Sequence, residues 1–364
     1  MDLFNKKMEL QFKKFDKNTE LKKQRDLFVD CFPENIGTAV VQENHYNWKF
    51  HTFPNATSSY EYVSYVEEDM IGYYAAIPYK YKINDKITPV AMVCDVMTSS
   101  KYRGKGIFTK LGAYSTNEFK NEGLPFTTGY PIRKEVIPGH LKVGWKIAFE
   151  LPLYIKLLKV NGILKKKKLS FLSIFINPCL NLYHFILSVN FKNKSDYSIK
   201  IYNKIDEIEG IEAFTSEWSK QIPNALIKDK AFLNWRFNAP ERNYHFIVAM
   251  KNGEIHGLMV ARKIIKEEIP SLAIMDWMVL NNEKTINYLL NKTIYSFAKN
   301  YHLETILCMM SKYSANNCKL FKNGFLKSPY KFYLIIKNLT QEFSDKILLN
   351  EKNWHLMWVD SDDL

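Results

Sequence analysis

One order of motifs occurs twice in this chain, and that constrains its fold more than any other feature. Asn47-Trp48-Lys49-Phe50 precedes two apolar runs, 60–66 and 71–78, and a third run at 89–97 closes on Asp95-Val96-Met97. Later, Asn234-Trp235-Arg236-Phe237 precedes runs at 244–250 and 255–261, and Asp276-Trp277-Met278 sits inside 273–280. Short β-like runs at 125–130 and 305–310 follow in each half, and HLKVGW (His140–Trp145) is matched by KLFKNGF (Lys319–Phe325). The offset between matched residues falls steadily, from 187 at Trp48/Trp235 to 180 at Gly144/Gly324. Several pairs in one order with a monotonic drift read as a tandem duplication. Strand-like runs alternating with helical spacing make the expected class α/β, of the mixed-sheet α+β kind. The expected division is a first domain at 1–155, a linker at 156–198 and a second domain at 199–364. Leu10–Phe32 reads as one or two amphipathic helices.

The halves differ at one turn. In Val93–Leu111 an apolar run ends in small polar residues, then Arg103-Gly104-Lys105-Gly106 leads into 107–120, whose apolar residues recur at helical spacing. The amides at a helix start have no intrahelical acceptor, and the macrodipole favours negative charge there. This arrangement reads either as an anion cradle or as a basic surface turn. The second half has Asn282-Glu283-Lys284-Thr285 at the same place, with neither glycine nor arginine. The surrounding pattern therefore recurs without the turn, which favours a ligand for the first copy and none for the second.

Net charge of +13 favours an anionic partner: a phosphorylated small molecule, nucleic acid or a membrane surface. No helix-turn-helix, zinc or RNP-type motif accompanies the charge, so specific nucleic-acid binding is not expected. The eight histidines show no metal-ligand spacing, and no metal is expected. Five scattered cysteines without a C-x-x-C pair fit a reducing compartment, and the N-terminus lacks a signal-peptide core, so a cytoplasmic location is expected. Four lysines, Lys165–Lys168, precede a stretch (169–189) free of Asp, Glu, Lys and Arg, and Lys192 and Lys194 follow. With Pro178, Asn177, Asn181 and His184 inside it, 165–190 reads as a helix on a membrane surface or packed between the domains, rather than as a span.

Strand, R-G-K-G, helix, short β run and a helix ending in Gly144-Trp145 resemble the GNAT superfamily of acyl-CoA-dependent N-acyltransferases, whose signature is Q/R-x-x-G-x-G/A. Arg103-Gly104-Lys105-Gly106-Ile107-Phe108 matches it except at Phe108, where a small residue is usual. Paired copies with one altered half also occur in similar families, peptidoglycan-bridge aminoacyltransferases and mycothiol synthase among them. The L-N-W-R-F segment and Trp358–Asp362 look like GNAT-type proteins encoded with bacterial surface-polysaccharide genes.

The resemblance implies acetyl-CoA as cosubstrate. Its pyrophosphate would lie on the amides of Gly104, Gly106, Ile107 and Phe108, with Thr109 adding a hydroxyl and Arg103 and Lys105 adding charge. The amides of pantetheine would pair with backbone groups around Met97 and Thr98 on a splayed strand. The partner implied is a small-molecule amine acceptor, such as an amino sugar of a surface-polysaccharide precursor. The candidate catalytic residues are Asp95 as base, His140 as acid or base at the position where the family often carries tyrosine, and Tyr130 as an alternative proton donor. Trp48 and Trp235 recur and are expected to pack in the core. Two other readings stay open: aminoacyl transfer from aminoacyl-tRNA, and a non-catalytic CoA-binding module.

Overall fold

The computed structural model describes residues 9–54, 58–131, 133–189 and 196–362; Lys192 and Lys194 lie outside them. The first half runs β1 (Gln11–Lys14), α1 (Lys17–Cys31), α2 (Glu43–His51), β2 (Tyr60–Val66), β3 (Asp69–Ile83), β4 (Lys86–Thr98), α3 (Ile107–Asn121), β5 (Phe126–Gly129), α4 (Ile137–Lys142) and β6 (Lys146–Leu157). Two helices follow, α5 (Asn161–Lys166) and α6 (Ser173–Val189). The second half runs β7 (Ser198–Tyr202), α7 (Ile211–Lys220), β8 (Asn224–Leu226), α8 (Lys230–Phe237), β9 (His245–Lys251), β10 (Glu254–Lys266), β11 (Ile269–Val279), α9 (Lys284–Asn300), β12 (Thr305–Met309), α10 (Lys312–Asn317) and β13 (Leu326–Asn338). From α2 to β6 and from α8 to β13 the order is the same: helix, three strands, helix, strand, helix, strand.

The expected helix over Leu10–Phe32 begins late. Gln11–Lys14 instead pairs antiparallel with β2, and the helix starts only after Asp16. The Asp16 carboxylate accepts from Asn18 N–H while Glu20 accepts from Asp16 N–H, so the start is capped from both directions. On β3, Tyr73, Ala75 and Ile77 face the cluster holding Leu27 and Phe28 of α1, whereas Tyr74 and Ala76 face Leu111 and Phe119 of α3. Side chains alternate between faces along a strand. Helices thus cover both faces, and the strand reads as a continuous apolar run.

The described strands form one sheet in the order β1-β2-β3-β4-β5-β13-β6-β12-β11-β10-β9-β7, with β8 on β3. Its centre is an exchange. Strand β6 leaves the first half and pairs with β12 (Leu153–Leu157 against Met309–Thr305). Strand β13 leaves the second half and pairs with β5 (Ile335–Asn338 against Gly129–Phe126). The two then pair with each other. Each half's last strand completes the other's sheet, and the boundary expected at 155 falls inside β6.

The helices before the strands meet across the same junction. Trp48 of α2 and Trp235 of α8 stack with ring centroids 5.1 Å apart and planes 14° apart. Each indole N–H donates to the other residue's carbonyl at 2.9 Å. Equivalent residues touching equivalent residues is the pattern of a two-fold contact, here within one chain. Both tryptophans were expected in a core, and they pack between the halves. Trp235→Ala removes the stack and leaves the Trp48 carbonyl without its indole donor; the expected cost is about 3–5 kcal/mol, measured as lost stability in urea unfolding.

Candidate functional site

The site begins where two parallel strands part. β4 pairs with β5 only over Ala91–Val93 and Thr127–Gly129. Beyond that, β4 stays bonded to β3 on its other side, Met97 against Tyr73 and Thr98 against Gly72. A register shift intervenes between Tyr73 and Ala75, and Asp95 on β4 sits at φ +47°, a conformation costly for a residue with a Cβ. The bulge bends β4 away from β5 and opens a gap between the strands. Opposite the far end of that gap lies the start of α3. Gly106 takes φ +75° as the residue before the helix, where a side chain would be strained. Lys110 N–H to Gly106 C=O is the first helical bond, so the amides of Ile107, Phe108 and Thr109 lack intrahelical acceptors.

A cavity of about 650 Å³ joins these features. Its lining includes Met97, Thr98, Arg103, Gly104, Gly106, Ile107, Phe108 and Thr109, eight of the nine residues expected to bind the cosubstrate. Lys105 stands aside, its ammonium 5.0 Å from the Tyr102 ring centroid. Thr98 Oγ1 is buried without a hydrogen-bond partner, so the groove offers a polar group that a ligand amide can satisfy. Two expected details change. The Thr109 hydroxyl donates to Gly106 C=O at 2.9 Å and braces the turn instead of offering a donor to a ligand. Arg103 Nε likewise turns inward to Thr98 C=O at 3.4 Å.

The phenylalanine at the signature's small-residue position has a counterpart across the groove. Phe108 packs edge-on against His140 with centroids 5.0 Å apart, and a Cβ on Gly139 would lie 2.5 Å from its ring. Gly139 in α4 supplies the space that the signature usually provides within α3.

A second cavity, about 520 Å³, adjoins the first; Phe32, Val96, Arg133 and Val136 line both. All three candidate catalytic residues, Asp95, Tyr130 and His140, line it. So do residues the sequence reading did not single out: His45, Lys49, Arg242, Lys266 and Asp362. Lys49 donates to Asp95 Oδ1 and to Asp362 Oδ2, both at 2.9 Å. Burial pushes the Lys49 ammonium down, but Asp362 and Asp95 outweigh it and hold its pKa above the ordinary lysine value. One cation thus faces two carboxylates. His45 is pushed down to about 3 by burial with Lys49 and Arg242 nearby, and His140 is pushed down to about 4 by burial among aromatic rings. Both imidazoles are neutral at neutral pH. Burial drives the Tyr130 hydroxyl well above its usual value, and it shares a 3.2 Å hydrogen bond with Tyr81 OH. It stays protonated. Burial also raises the Cys31 and Cys94 thiols, which argues against a thiolate nucleophile here.

The equivalent place in the second half is built otherwise. β11 pairs with β12 only as far as Ile274 and Cys308, and the next carboxylate, Asp276, is fully enclosed. Lys228 donates to it at 2.7 Å, and His355 and Asp360 of the C-terminal segment close around the pair. Burial raises both carboxyl pKa values; Lys228 outweighs this for Asp276 and leaves it low, while neighbouring Asp276 keeps Asp360 high. Asp276 therefore has a packing role, and Asp95, which lines a cavity, does not share its surroundings. At the helix start Glu283 presents a carboxylate where the first half presents Gly106.

Residues 15–148 match the family model described as acetyltransferase (GNAT) domain. No curated protein matches the sequence. Among solved structures, a GCN5-related N-acetyltransferase from Anabaena variabilis superposes with TM-score 0.64 at 12% identity, covering 91% of this chain and 73% of that one. A probable N-acyltransferase from Enterococcus faecalis gives 0.63 at 15% identity, with the same 91% and 73%. Saccharomyces cerevisiae N-myristoyltransferase with bound myristoyl-CoA gives 0.60 at 11%, covering 90% and 79%. Identities this low establish the shared fold, which extends over both halves. The family match covers 15–148, and the orphaned hydroxyl and free helix-start amides of that groove fit an acyl-CoA cosubstrate.

Two predictions follow from this geometry. Gly139→Ala pushes Phe108 out of place and is expected to cost about 1–3 kcal/mol in thermal unfolding, but less in a Phe108→Ala background. His140 has a folded-state pKa below its unfolded value, so its contribution is complete above pH 6.5 and is lost as pH falls through about 4. Stability measured by urea unfolding at pH 7 and pH 5 should fall by about 2 kcal/mol more in the wild type than in His140→Gln.

Proposed function

We propose that the chain is an N-acetyltransferase that moves an acetyl group from acetyl-CoA to the amine of a small acceptor. The observation that carries this reading is the junction of the two cavities where β4 and β5 part. One holds the free helix-start amides and the other holds the titratable side chains.

In this reading the amides of Ile107, Phe108 and Thr109 hold the pyrophosphate, and the open edge of β4 around Met97 and Thr98 aligns the pantetheine arm. The acceptor binds in the adjoining cavity with its ammonium near Asp95 and Asp362. Lys49 neutralises only one of those two carboxylates, which leaves one for the substrate. Asp95 takes the ammonium proton, the amine nitrogen bonds to the thioester carbonyl carbon, and the carbon–sulfur bond breaks. Of the two protons that the nitrogen loses on becoming an amide, one ends on the departing thiolate and the other passes to solvent through Asp95. Tyr130, held protonated, donates a hydrogen bond as charge develops, and neutral His140 forms an aromatic-braced wall.

Arg242 reaches this cavity from the second half. Burial lowers it only to about 10, so it stays charged. Among the described residues no carboxylate lies within ion-pair distance, and its Nη1 is buried without a hydrogen-bond partner. Arg242 and Lys266 beside Asp95 and Asp362 suit an acceptor with both an amine and an anionic group, such as a phosphate-bearing amino sugar of a surface-polysaccharide precursor. The exposed apolar α6 suits a peripheral position at an inner membrane surface, where a lipid-linked acceptor would be met.

Calorimetry with acetyl-CoA tests the reading. Wild type is expected to bind and Gly106→Glu to lose binding, because a carboxylate then faces the helix start; no binding by wild type overturns the proposal. With an amino-sugar acceptor, Asp95→Asn should lower kcat by about 10²-fold while leaving acetyl-CoA affinity unchanged. Arg242→Met should raise KM for a phosphate-bearing acceptor more than for the same sugar without phosphate.

A further inference from the structure

Helix α6 is docked the wrong way round for a soluble protein. Asn177 accepts from Val160 N–H at 3.0 Å and donates to Asn161 Oδ1 at 2.8 Å. Seven residues on, His184 Nε2 lies 2.7 Å from Leu157 C=O, so that nitrogen carries the proton and donates. Positions seven apart share a helix face. The polar face therefore meets the protein and the apolar face meets solvent: Ile174, Phe175, Leu182, Phe185 and Ile186 are 54–73% exposed. By length and composition alone, 170–187 passes as a membrane span. Its anchors at Asn177 and His184, however, lay it against the folded sheet. This geometry is that of a helix lying in an interface.

Where α6 meets the second half there is a cavity of about 220 Å³. Lys156, Lys292, Lys299 and Lys322 line it, and no Asp or Glu does. Among the described residues none of the four lysines makes an ion pair. Lys156 is the informative one. Its residue is 6% exposed, and its ammonium sits 4.8 Å from the Tyr295 ring centroid and 5.8 Å from that of Phe325. Burial without a counter-charge lowers it to about 8. A buried cation without an anion is costly, and three further lysines at the mouth increase the repulsion. The charged side chains lining the cavity are thus all positive, and it opens beside the exposed apolar face of α6. The lysines Lys165–Lys168 at the other end of that helix add charge of the same sign, Lys166 being partly offset by Glu267 at 3.6 Å.

We propose that this cavity binds the phosphate of an anionic lipid headgroup while the apolar face of α6 lies among the acyl chains. The proposal rests on the membrane-surface reading of 165–190 and adds a specific headgroup site to it. Phosphate satisfies several ammonium groups at once, and lysine binds it as a point charge without a fixed fork geometry. Apolar insertion and lysine attraction to anionic lipid reinforce each other.

Flotation of the full chain with vesicles of phosphatidylcholine, alone or mixed with phosphatidylglycerol, is the test. Wild type should float with the mixed vesicles and only weakly with phosphatidylcholine. Phe175→Asp should reduce binding to both. Lys156→Met should lower binding to the mixed vesicles by about tenfold and leave the weak phosphatidylcholine binding unchanged. Lys299→Ala/Lys322→Ala changes only exposed side chains, so it repeats that test without risk to the fold; unaltered acetyl-CoA binding serves as the control for each variant. If wild type floats with neither vesicle, the surface reading and the headgroup site both fall. If Phe175→Asp abolishes flotation but the lysine variants match wild type, the surface reading stands and the headgroup site falls. In solution, short-chain phosphatidylglycerol should bind more tightly than inorganic phosphate; equal affinities would make this a site for free phosphate and overturn the lipid assignment.

Discussion

Everything at the candidate site depends on β13 lying between β5 and β6. β5 can leave β4 after Gly129 because its other edge is held by Ile335–Asn338 of the second half. Without that partner β5, held by β4 only over Thr127–Gly129, would have its other edge open, and an unpaired strand edge is a liability in water. The gap between β4 and β5 is thus a feature of the whole chain, not of its first half. For the same reason a β13 residue, Ile335, lines the cavity that opens at the gap.

The two halves use similar topology with opposite electrostatic outcomes. In the first, Lys49 bridges Asp95 and Asp362 at the wall of a cavity, leaving one negative charge in reach of a ligand. In the second, Lys228 and Asp276 are sealed beneath Trp358–Asp360 and His355. The C-terminal segment makes both arrangements. Its buried part closes the second-half carboxylate, and its next residues carry Asp362 to Lys49. A single stretch of chain thereby fills one cleft and furnishes the other.

Much of this was legible because it rests on local chemistry. The R-G-K-G turn and its helix follow from glycine conformation and apolar spacing, and the groove is lined by the residues named from that turn except Lys105. Strands such as 60–66 announced themselves by composition. What escaped was non-local. β13 shows no period that says which strand it joins, and register across 200 residues is set by edges that do not exist until both halves fold. Lys49 was visible beside Trp48, but its carboxylate partners lie 46 and 313 residues away. Phe108 seemed to disagree with its motif because the compensating residue, Gly139, lies on another helix. The helix expected at Leu10–Phe32 failed at its start, where a free sheet edge captured four residues ahead of the Asp16 cap. α6 was read as apolar from sequence, but which face it turned outward was a matter of packing.

The central claim is that acyl-CoA is held by the first-half turn alone, on backbone amides that the second half does not present. Hydrogen–deuterium exchange with and without acetyl-CoA reads those amides directly. Slowed exchange at 97–98 and 107–109, with 283–286 unchanged, is the predicted result. Unchanged exchange at 107–109, or protection centred on 283–286, would contradict it.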